Sequence, residues 1–210
     1  RELQNLLPDY TYQFPFDFDK LGGTLGASNF IAVVHADGNG LGKIIQGLKD
    51  KFPDVSGDKG NRAYITYMRD FSEKIKQVAF LALQQTVQLL IEHIEMIDGK
   101  PHIMPIGNQP PIEIKHDDEV RAYALPFRPL VSGGDDVTFV CDGRIAFDLT
   151  TTFLRAFEEQ SSRLLPTRLN ACAGIAIVNT KYPFARAYEL ADELCDNAKK
   201  EYHGKKVNAF

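Results

Sequence analysis

The stretch Phe127–Val140, with the sequence FRPLVSGGDDVTFV, places two glycines and two aspartates between two apolar runs. The runs Phe127–Val131 and Val137–Val140 predict two strands, and the glycines between them predict a hairpin turn. Two adjacent carboxylates at a turn repel each other, and a divalent cation between them removes that cost. Glycines also let a phosphate-bearing ligand approach the backbone closely. The motif alone leaves two interpretations open, a metal site and a solvated acidic turn.

The composition is that of an ordinary globular chain. With 210 residues, 44% of them hydrophobic and 25% charged, we expect one domain or one domain with an appendage. A formal net charge of −4 argues against a broad basic surface for duplex DNA, but it leaves room for a small basic pocket. The three cysteines are far apart and form no C-x-x-C motif, which argues against a zinc ribbon or a disulfide framework. Without a signal peptide or an apolar run of transmembrane length, we expect no membrane contact and a cytoplasmic location.

Hydrophobic periodicity predicts the secondary structure. The β-branched run Phe30–His35 predicts a buried strand, and apolar steps of three and four residues predict a long helix from about Ala63 to Ile97. Residues 98–126, rich in Pro, Gly, Asp and His, predict loops with one or two short strands. The other predicted elements are helix Leu41–Leu48, loop Pro53–Arg62, the 127–140 hairpin, helix Ala146–Glu159, strand Leu169–Val178, helix Phe184–Tyr202 and a final strand Val207–Phe210.

The order of these elements predicts an α/β (α+β) fold of the ferredoxin-like type. We expect a mixed or antiparallel sheet with the helices packed on one face, plus a long inserted helix. Residues 1–28 are predicted to be an irregular lead-in segment, because prolines and glycines interrupt them repeatedly. Residues 29–210 are predicted to form the domain itself, with an insertion at about 50–126.

A third carboxylate, Asp37, follows the first predicted strand. In a ferredoxin-like sheet this strand lies beside the hairpin, so the strand ends bring Asp37 close to Asp135 and Asp136. Three hard oxygen ligands suit Mg²⁺ or Mn²⁺ rather than zinc, and the carbonyl of Gly38 is available to bend toward the cation. The N-terminus of the next helix favours phosphate. His35, on the strand itself, is interpreted as a packed residue, although Mn²⁺ also accepts imidazole.

These residues resemble a known family, the catalytic palm domain of the large subunit of type III CRISPR effector complexes, also known as the CRISPR polymerase or oligoadenylate cyclase family. The resemblance spans roughly residues 29–210, and its specificity comes from five stretches in the same order. They are Asp37–Lys43, Arg128–Val137, Ala173–Val178, Tyr182–Phe184 with the helix Ala187–Lys199, and Gly204–Phe210.

The resemblance implies a palm/cyclase-like domain with a metal-dependent nucleotide site. It implies two Mg²⁺ or Mn²⁺ ions held by the metal ligands Asp37, Gly38, Asp135 and Asp136, of which the three aspartates are catalytic. It implies that the ribose and the phosphates contact Asn39, Ser132, Gly133 and Gly134. A lysine near the end of the chain, Lys199, Lys205 or Lys206, would reach the triphosphate. For Lys199 a purely helical role stays open, because a lysine near a helix C-terminus also suits the helix dipole.

The more distantly similar GGDEF cyclases differ from this chain where they bind guanine. They carry an Asn that reads the base, whereas Ile45 lies near that position here, so the resemblance favours ATP among the NTPs. It also implies a second palm domain, supplied by homodimerisation or by a larger chain, and membership of an RNA-guided effector complex.

Three functions stay open from the sequence. The first is a nucleotidyltransferase or cyclase that joins NTPs by 3′–5′ phosphodiester bonds with release of pyrophosphate, for example to make a cyclic oligonucleotide messenger in antiviral defence. The second is a catalytically weak nucleotide-binding palm module that serves as a scaffold in a larger complex. The third is a purely structural α/β domain with a solvated acidic turn. The three retained carboxylates, Asp37, Asp135 and Asp136, favour the first.

Overall fold

The structure is a computed structural model, and it describes residues 7, 11–18, 21, 29–52, 57–104, 110–119 and 121–201. The predicted final strand Val207–Phe210, together with Lys205 and Lys206, lies outside the described residues, as does most of the lead-in segment. The described strands and helices are β1 Tyr12–Gln13, β2 Phe30–Gly38, α1 Leu41–Lys51, α2 Asp58–Glu92, β3 Ile94–Ile97, β4 Lys100–Ile103, β5 Ile112–Glu113, β6 Lys115–Asp117, β7 Ala122–Ala124, β8 Phe127–Gly133, β9 Asp136–Asp142, α3 Ala146–Leu164, β10 Ala171–Asn179 and α4 Phe184–Glu201.

The main sheet has four antiparallel strands in the order β10-β2-β9-β8. Strand β2 is central because β10 and β9 pair with its two edges, and its apolar residues are buried along almost its whole length. Strands β8 and β9 form the predicted hairpin, in which Gly133 pairs with Asp136 and the turn residue Gly134 has φ +94°. With α1 and α2 before the hairpin and α3 after it, this order is that of a ferredoxin-like fold, as predicted.

Helices cover both faces of this sheet, so the prediction that they share one face is wrong. Helices α2 and α3 pack on the face that carries Ala32 and Val34 of β2. Helix α4 packs on the other face, over Ile31 and Val33. Successive residues of a strand point to opposite faces, and both sets in β2 are apolar. The continuous apolar run of β2 is therefore typical of a strand between two layers of helices.

The long helix α2 ends earlier than predicted. It stops at Glu92, and residues Ile94–Ile97 form strand β3, which pairs with Lys100–Ile103 of β4. The two strands are joined by Asp98 and Gly99, which have φ values of +51° and +78°. Asp-Gly is a preferred pair for a two-residue hairpin turn in which both residues have positive φ. The Asp98-Gly99 pair is thus the sequence signal for this hairpin, whereas the apolar spacing up to Ile97 continues the pattern of a helix.

Helix α4 lies directly against strand β10 at Gly174. A methyl group on Gly174 would overlap the backbone carbonyl of Ala191 and would lie 2.6 Å from the backbone nitrogen of Cys195. The side chains along this line are small and buried, Ala187 and Ala191 among them. The absence of a side chain at Gly174 thus sets the distance between α4 and the sheet.

The other described strands form two short three-stranded sheets, β1-β7-β6 and β3-β4-β5, and all of these strands except β1 lie between β2 and β8 in the chain. Among the described residues, no helix combines the length and the apolar character needed to cross a membrane.

Candidate functional site

The predicted acidic residues meet at one end of the main sheet. Asp37 is the penultimate residue of β2, Asp135 is in the hairpin turn, and Asp136 is the first residue of β9. Gly38 allows this approach, because a Cβ atom on it would lie 2.9 Å from the Cβ of Asp135 and 3.3 Å from its Oδ2. Glycine at position 38 therefore lets the acidic turn lie directly on the backbone of β2.

Lys199 of α4 supplies a positive charge to this cluster. Its Nζ donates a hydrogen bond to Oδ2 of Asp37, and both side chains are about a quarter to a third exposed. Burial opposes the charged form of Lys199, but the hydrogen bond and the charge of Asp37 outweigh burial and raise its pKa. Lys199 was predicted to reach the triphosphate, and in the described structure it contacts a carboxylate of the same site.

The two aspartates of the hairpin hold protons more tightly than ordinary carboxyl groups. Burial, together with the charge of Asp37 and a hydrogen bond to it, raises the pKa of Asp135 to about 6. Burial also raises the pKa of Asp136; His35 opposes that shift, and the charges of Asp37 and Asp192 add to it. Burial and neighbouring negative charges thus disfavour the ionised form of these carboxyl groups, and a bound cation would stabilise that form.

Asp136 is in contact with a buried histidine. Its Oδ1 is buried and accepts no hydrogen bond, and it lies 3.4 Å from Nδ1 of His35. That ring nitrogen is also within 3.3 Å of the hydroxyl of Thr138, directly opposite His35 in the β2–β9 register. On its other side, Nε2 of His35 lies 3.3 Å from Oδ1 of Asp192 in α4.

The residues predicted to line the ribose and phosphates lie on two sides of the cluster. Ser132 and Gly133 are exposed at the hairpin tip, and Gly134 is half-buried beside them. Asn39 is half-buried: its side-chain amide lies 3.2 Å from Oδ1 of Asn170 and 3.2 Å from Sγ of Cys172. Its backbone N–H also donates to the carbonyl of Asn170. Asn39 thus ties the end of β2 to the start of β10.

The residue types fit a hard divalent cation. Asp37, Asp135 and Asp136 offer carboxylate oxygens, and the buried Oδ1 of Asp136 has no hydrogen-bond donor. Among the described residues, however, no three His, Cys, Asp or Glu side chains are grouped as a ready-made metal site. The ion pair with Lys199 is consistent with this, because one oxygen of Asp37 is already engaged.

A cavity of about 210 Å³ lies beside helix α1, which follows β2 in the chain. Its walls come from α1, α2 and the segment before β10, and they include the aromatic rings of Tyr67 and Phe71 and the residue Lys43. It extends to Leu169, whose neighbour Asn170 binds Asn39. Pockets for drug-sized ligands measure about 300–1,000 Å³, so this cavity suits a single aromatic ring system rather than a whole nucleotide.

Sequence reasoning missed part of this arrangement. The interpretation of His35 as a packed residue is confirmed by its burial, but Asp192 and Tyr188 were not singled out; the ring of Tyr188 packs edge-on against His35 with centroids 5.5 Å apart. The cavity was not predicted either. The amphipathic spacing of α4 indicates which side of the helix is buried. It does not indicate which strand residues its polar side chains contact.

The comparisons with known proteins identify the fold independently. The family model described as Cas10/Cmr2, second palm domain, matches residues 30–209. The crystal structure of Csm1 in T. onnurineus is similar, with a TM-score of 0.53 at 17% identity, over 91% of this chain and 22% of that chain. The Csm1–Csm4 subcomplex in the type III-A CRISPR–Csm interference complex gives a TM-score of 0.49 at 18% identity, over 88% of this chain and 21% of that chain.

A third similar structure is the Csm1–Csm4 cassette in complex with cA3, with a TM-score of 0.49 at 16% identity, over 88% of this chain and 21% of that chain. The chain therefore spans little more than a fifth of the length of these solved chains. No curated protein matches its sequence. The family match covers nearly the whole chain and confirms the resemblance drawn from the five sequence stretches: the chain belongs to the Cas10/Cmr2 second palm domain family.

Proposed function

We propose that the chain is the catalytic palm of a metal-dependent nucleotidyltransferase or nucleotide cyclase. It joins NTPs, ATP above all, through 3′–5′ phosphodiester bonds and releases pyrophosphate. The observation that carries the proposal is the meeting of Asp37, Asp135 and Asp136 at the ends of neighbouring strands, where Gly38 leaves room for the acidic turn. A structural domain with a solvated turn has no need to hold a carboxyl group whose pKa is raised to about 6.

The proposed site divides its tasks among the residues around the carboxylates. Asp37, Asp135 and Asp136 would hold two Mg²⁺ or Mn²⁺ ions, which supply activation of the attacking 3′-hydroxyl and neutralisation of the leaving pyrophosphate. Lys199 offers a flexible positive charge that can exchange Asp37 for a phosphate oxygen. The exposed glycine turn after Ser132 leaves the backbone open to a phosphate.

The cavity beside β2 supports nucleotide binding. The rings of Tyr67 and Phe71 offer stacking surface for a nucleobase, and Ile44 adds an apolar wall. Helix α1, which lines this cavity, begins three residues after the end of β2, and a helix N-terminus favours phosphate. A base in the cavity would therefore direct its phosphates toward Asp37. With Ile45 near the guanine-reading position of related cyclases, we favour ATP as the substrate.

A partner completes the site in this proposal. The matching family model describes a second palm domain, so a further palm is expected in a larger chain, or a second copy of this one in a homodimer. Two palms would present two nucleotides to each other. The larger assembly would be an RNA-guided effector complex of the type named for the similar Csm1–Csm4 structures.

The ion pair between Lys199 and Asp37 favours a second candidate function. A site whose carboxylate is neutralised by a lysine of the same chain can bind a nucleotide without holding two metal ions. The chain would then be a catalytically weak nucleotide-binding module that acts as a scaffold.

One experiment separates the two functions. The full-length protein that contains this chain is incubated with each NTP and either Mg²⁺ or Mn²⁺, and the products are resolved by mass. We expect adenosine oligonucleotides from ATP, and we expect Asp135→Asn and Asp136→Asn each to lower the rate by about 100- to 1,000-fold, as for loss of one electrostatic contact to the transition state. The control is Glu189→Gln, which removes an exposed carboxylate of α4 that pairs with Arg186 away from the cluster.

The outcomes are distinct. Binding of ATP, with or without metal, in the absence of any product supports the scaffold function. The absence of both product and nucleotide binding, with every NTP, contradicts both functions. Equal loss of activity in Glu189→Gln and in the hairpin variants would show that the effect is not specific to the proposed site.

A further inference from the structure

The imidazole of His35 lies buried between two carboxylates of different elements. Its side chain is 7% exposed, and each ring nitrogen faces one acidic oxygen: Nδ1 is 3.4 Å from Oδ1 of Asp136, and Nε2 is 3.3 Å from Oδ1 of Asp192. Carboxylate oxygens accept hydrogen bonds, and an imidazole ring donates from one nitrogen when neutral and from both as an imidazolium, so it can link two acids on opposite sides. His35 thus joins the acidic end of β9 to helix α4.

We propose that His35 is a positioning residue that orients the carboxylate of Asp136 toward a bound divalent cation and is itself anchored by Asp192. The inference rests on the proposed function, because it assigns Asp136 to a metal site. It adds to that function a residue that need not touch metal or nucleotide.

The surroundings of His35 fix its ring. Strand β2 carries it on the face covered by α4, next to apolar residues such as Val33. A polar ring buried there is costly without partners. Thr138 provides one at 3.3 Å, directly opposite in the sheet, and the ring of Tyr188 packs edge-on against it. These contacts hold the imidazole in one orientation, with Nδ1 toward the hairpin.

Asp136 needs such a partner more than Asp37 does. It follows a turn whose glycine has φ +94°, and its side chain is 45% exposed, so little packing restrains the carboxylate. Its buried oxygen Oδ1 accepts no hydrogen bond within the described structure. Asp37 is held by Lys199, whereas Asp136 has the ring of His35 beside it, with Nδ1 3.4 Å from Oδ1. Ligand carboxylates are usually oriented by a hydrogen bond from outside the metal's own shell.

The arrangement also makes α4 a common support for both carboxylates. Asp192 and Lys199 lie seven residues apart on α4, which is about two helical turns. The first reaches Asp136 through His35, and the second reaches Asp37 directly. One rigid helix therefore sets both ligands.

Two substitutions of His35 separate its two nitrogens. The amide of an asparagine occupies the place of Nδ1, beside Asp136, whereas the amide of a glutamine occupies the place of Nε2, beside Asp192. The affinity for Mn²⁺ is measured by calorimetry on the full-length protein, and the melting temperature is measured in parallel. Loss of an outer partner of a metal ligand typically costs 10- to 100-fold in metal affinity. We expect His35→Asn to keep the affinity within about threefold, and His35→Gln to weaken it by about 10- to 100-fold.

Glu189→Gln is the matched control, because this exposed carboxylate of α4 pairs with Arg186 and its loss should leave Mn²⁺ affinity unchanged. Equal affinities in the two His35 variants, whether both normal or both weakened, would overturn the inference, since a merely structural histidine does not distinguish its nitrogens in this way. If His35→Gln fails to fold, His35→Ala takes its place in the comparison, because alanine also lacks a donor beside Asp136; equal affinities in His35→Ala and His35→Asn then overturn the inference. Wild-type protein that binds no Mn²⁺ would contradict the metal site itself, whereas the other results leave that site standing.

Discussion

Replacing Gly174 by alanine tests how closely helix α4 lies against strand β10. Gly174 does not belong to the glycines with positive φ, so its backbone conformation suits any residue. Only space forbids the change: a new methyl group would overlap the carbonyl of Ala191 and lie 2.6 Å from the nitrogen of Cys195. Both obstacles are helix backbone, which cannot rotate away as the end of a side chain can.

The cost follows from the displacement that the helix must make. Ordinary contact begins near 3.4 Å, so α4 has to retreat by about 0.8 Å at Cys195, and by more at Ala191. A gap of about 0.5–1 Å removes a quarter to a half of the dispersion energy of the contacts between α4 and β10. Overpacking typically costs about 1–3 kcal/mol, and contact with rigid backbone places this case at about 3 kcal/mol or more. For a chain of this size that corresponds to a fall in Tm of about 6–12 °C.

Two glycines provide graded controls for thermal unfolding followed by circular dichroism. At Gly143 the nearest atom to a new methyl group is a side-chain carbon of Ile177 at 3.2 Å, which can yield, so Gly143→Ala should cost less than about 1 kcal/mol. At Gly47 in α1 nothing lies within 4 Å, and alanine is the better helix former, so Gly47→Ala should raise stability by about 0.5–1 kcal/mol. A Gly174→Ala protein that melts within about 2 °C of wild type would refute the close packing of α4.

Three further predictions concern charged groups. Because the pKa of Asp135 is raised to about 6 in the folded chain, the metal-free protein should lose stability as the pH rises from about 4 to 6, by about 1 kcal/mol after solvent screening. Asp135→Asn should reduce that loss in urea titrations with chelator and leave the part due to Asp136, whose pKa is also raised; an unchanged slope would contradict the shift. Lys199→Met should destabilise the metal-free protein by about 1–2 kcal/mol, because it leaves the charge of Asp37 uncompensated. Added Mn²⁺ should reduce the difference in calorimetric melting temperature between this variant and the wild type; an unreduced difference would contradict the use of Asp37 by both Lys199 and the metal. Arg144→Met should cost about 3 kcal/mol in chemical denaturation, because it leaves Asp142 buried at 1% exposure without its guanidinium partner, and a cost below about 1 kcal/mol would contradict this.

The strands of the main sheet were predictable because their signals are local. The run Phe30–His35 and the hairpin Phe127–Val140 combine β-branched and apolar residues with a glycine turn, and both appear where expected. The end of α2 was not predictable from periodicity, because Ile94 and Ile97 continue the helical spacing although they belong to strand β3. There the turn residues Asp98 and Gly99 outweighed the periodicity.

Only the part of the site that depends on strand order was predictable from the sequence. The nearness of Asp37 to the hairpin follows from the strand order of a ferredoxin-like fold, which the sequence indicated. The contacts of His35 do not follow, because they depend on which face α4 covers and on its register along the sheet. Such contacts are set by packing between distant segments, and a pattern within one segment carries no information about them.

The central position of β2 has a consequence for synthesis. Its neighbours β9 and β10 lie about 100 to 140 residues further along the chain, so the ribosome makes β2 long before either of these two partner strands exists. During that interval the segment Phe30–Ala36 is an unpaired, strongly apolar strand with both of its edges open. We expect nascent chains that end before residue 136 to bind chaperones or to aggregate, and solubility to appear only once the β8–β9 hairpin has emerged.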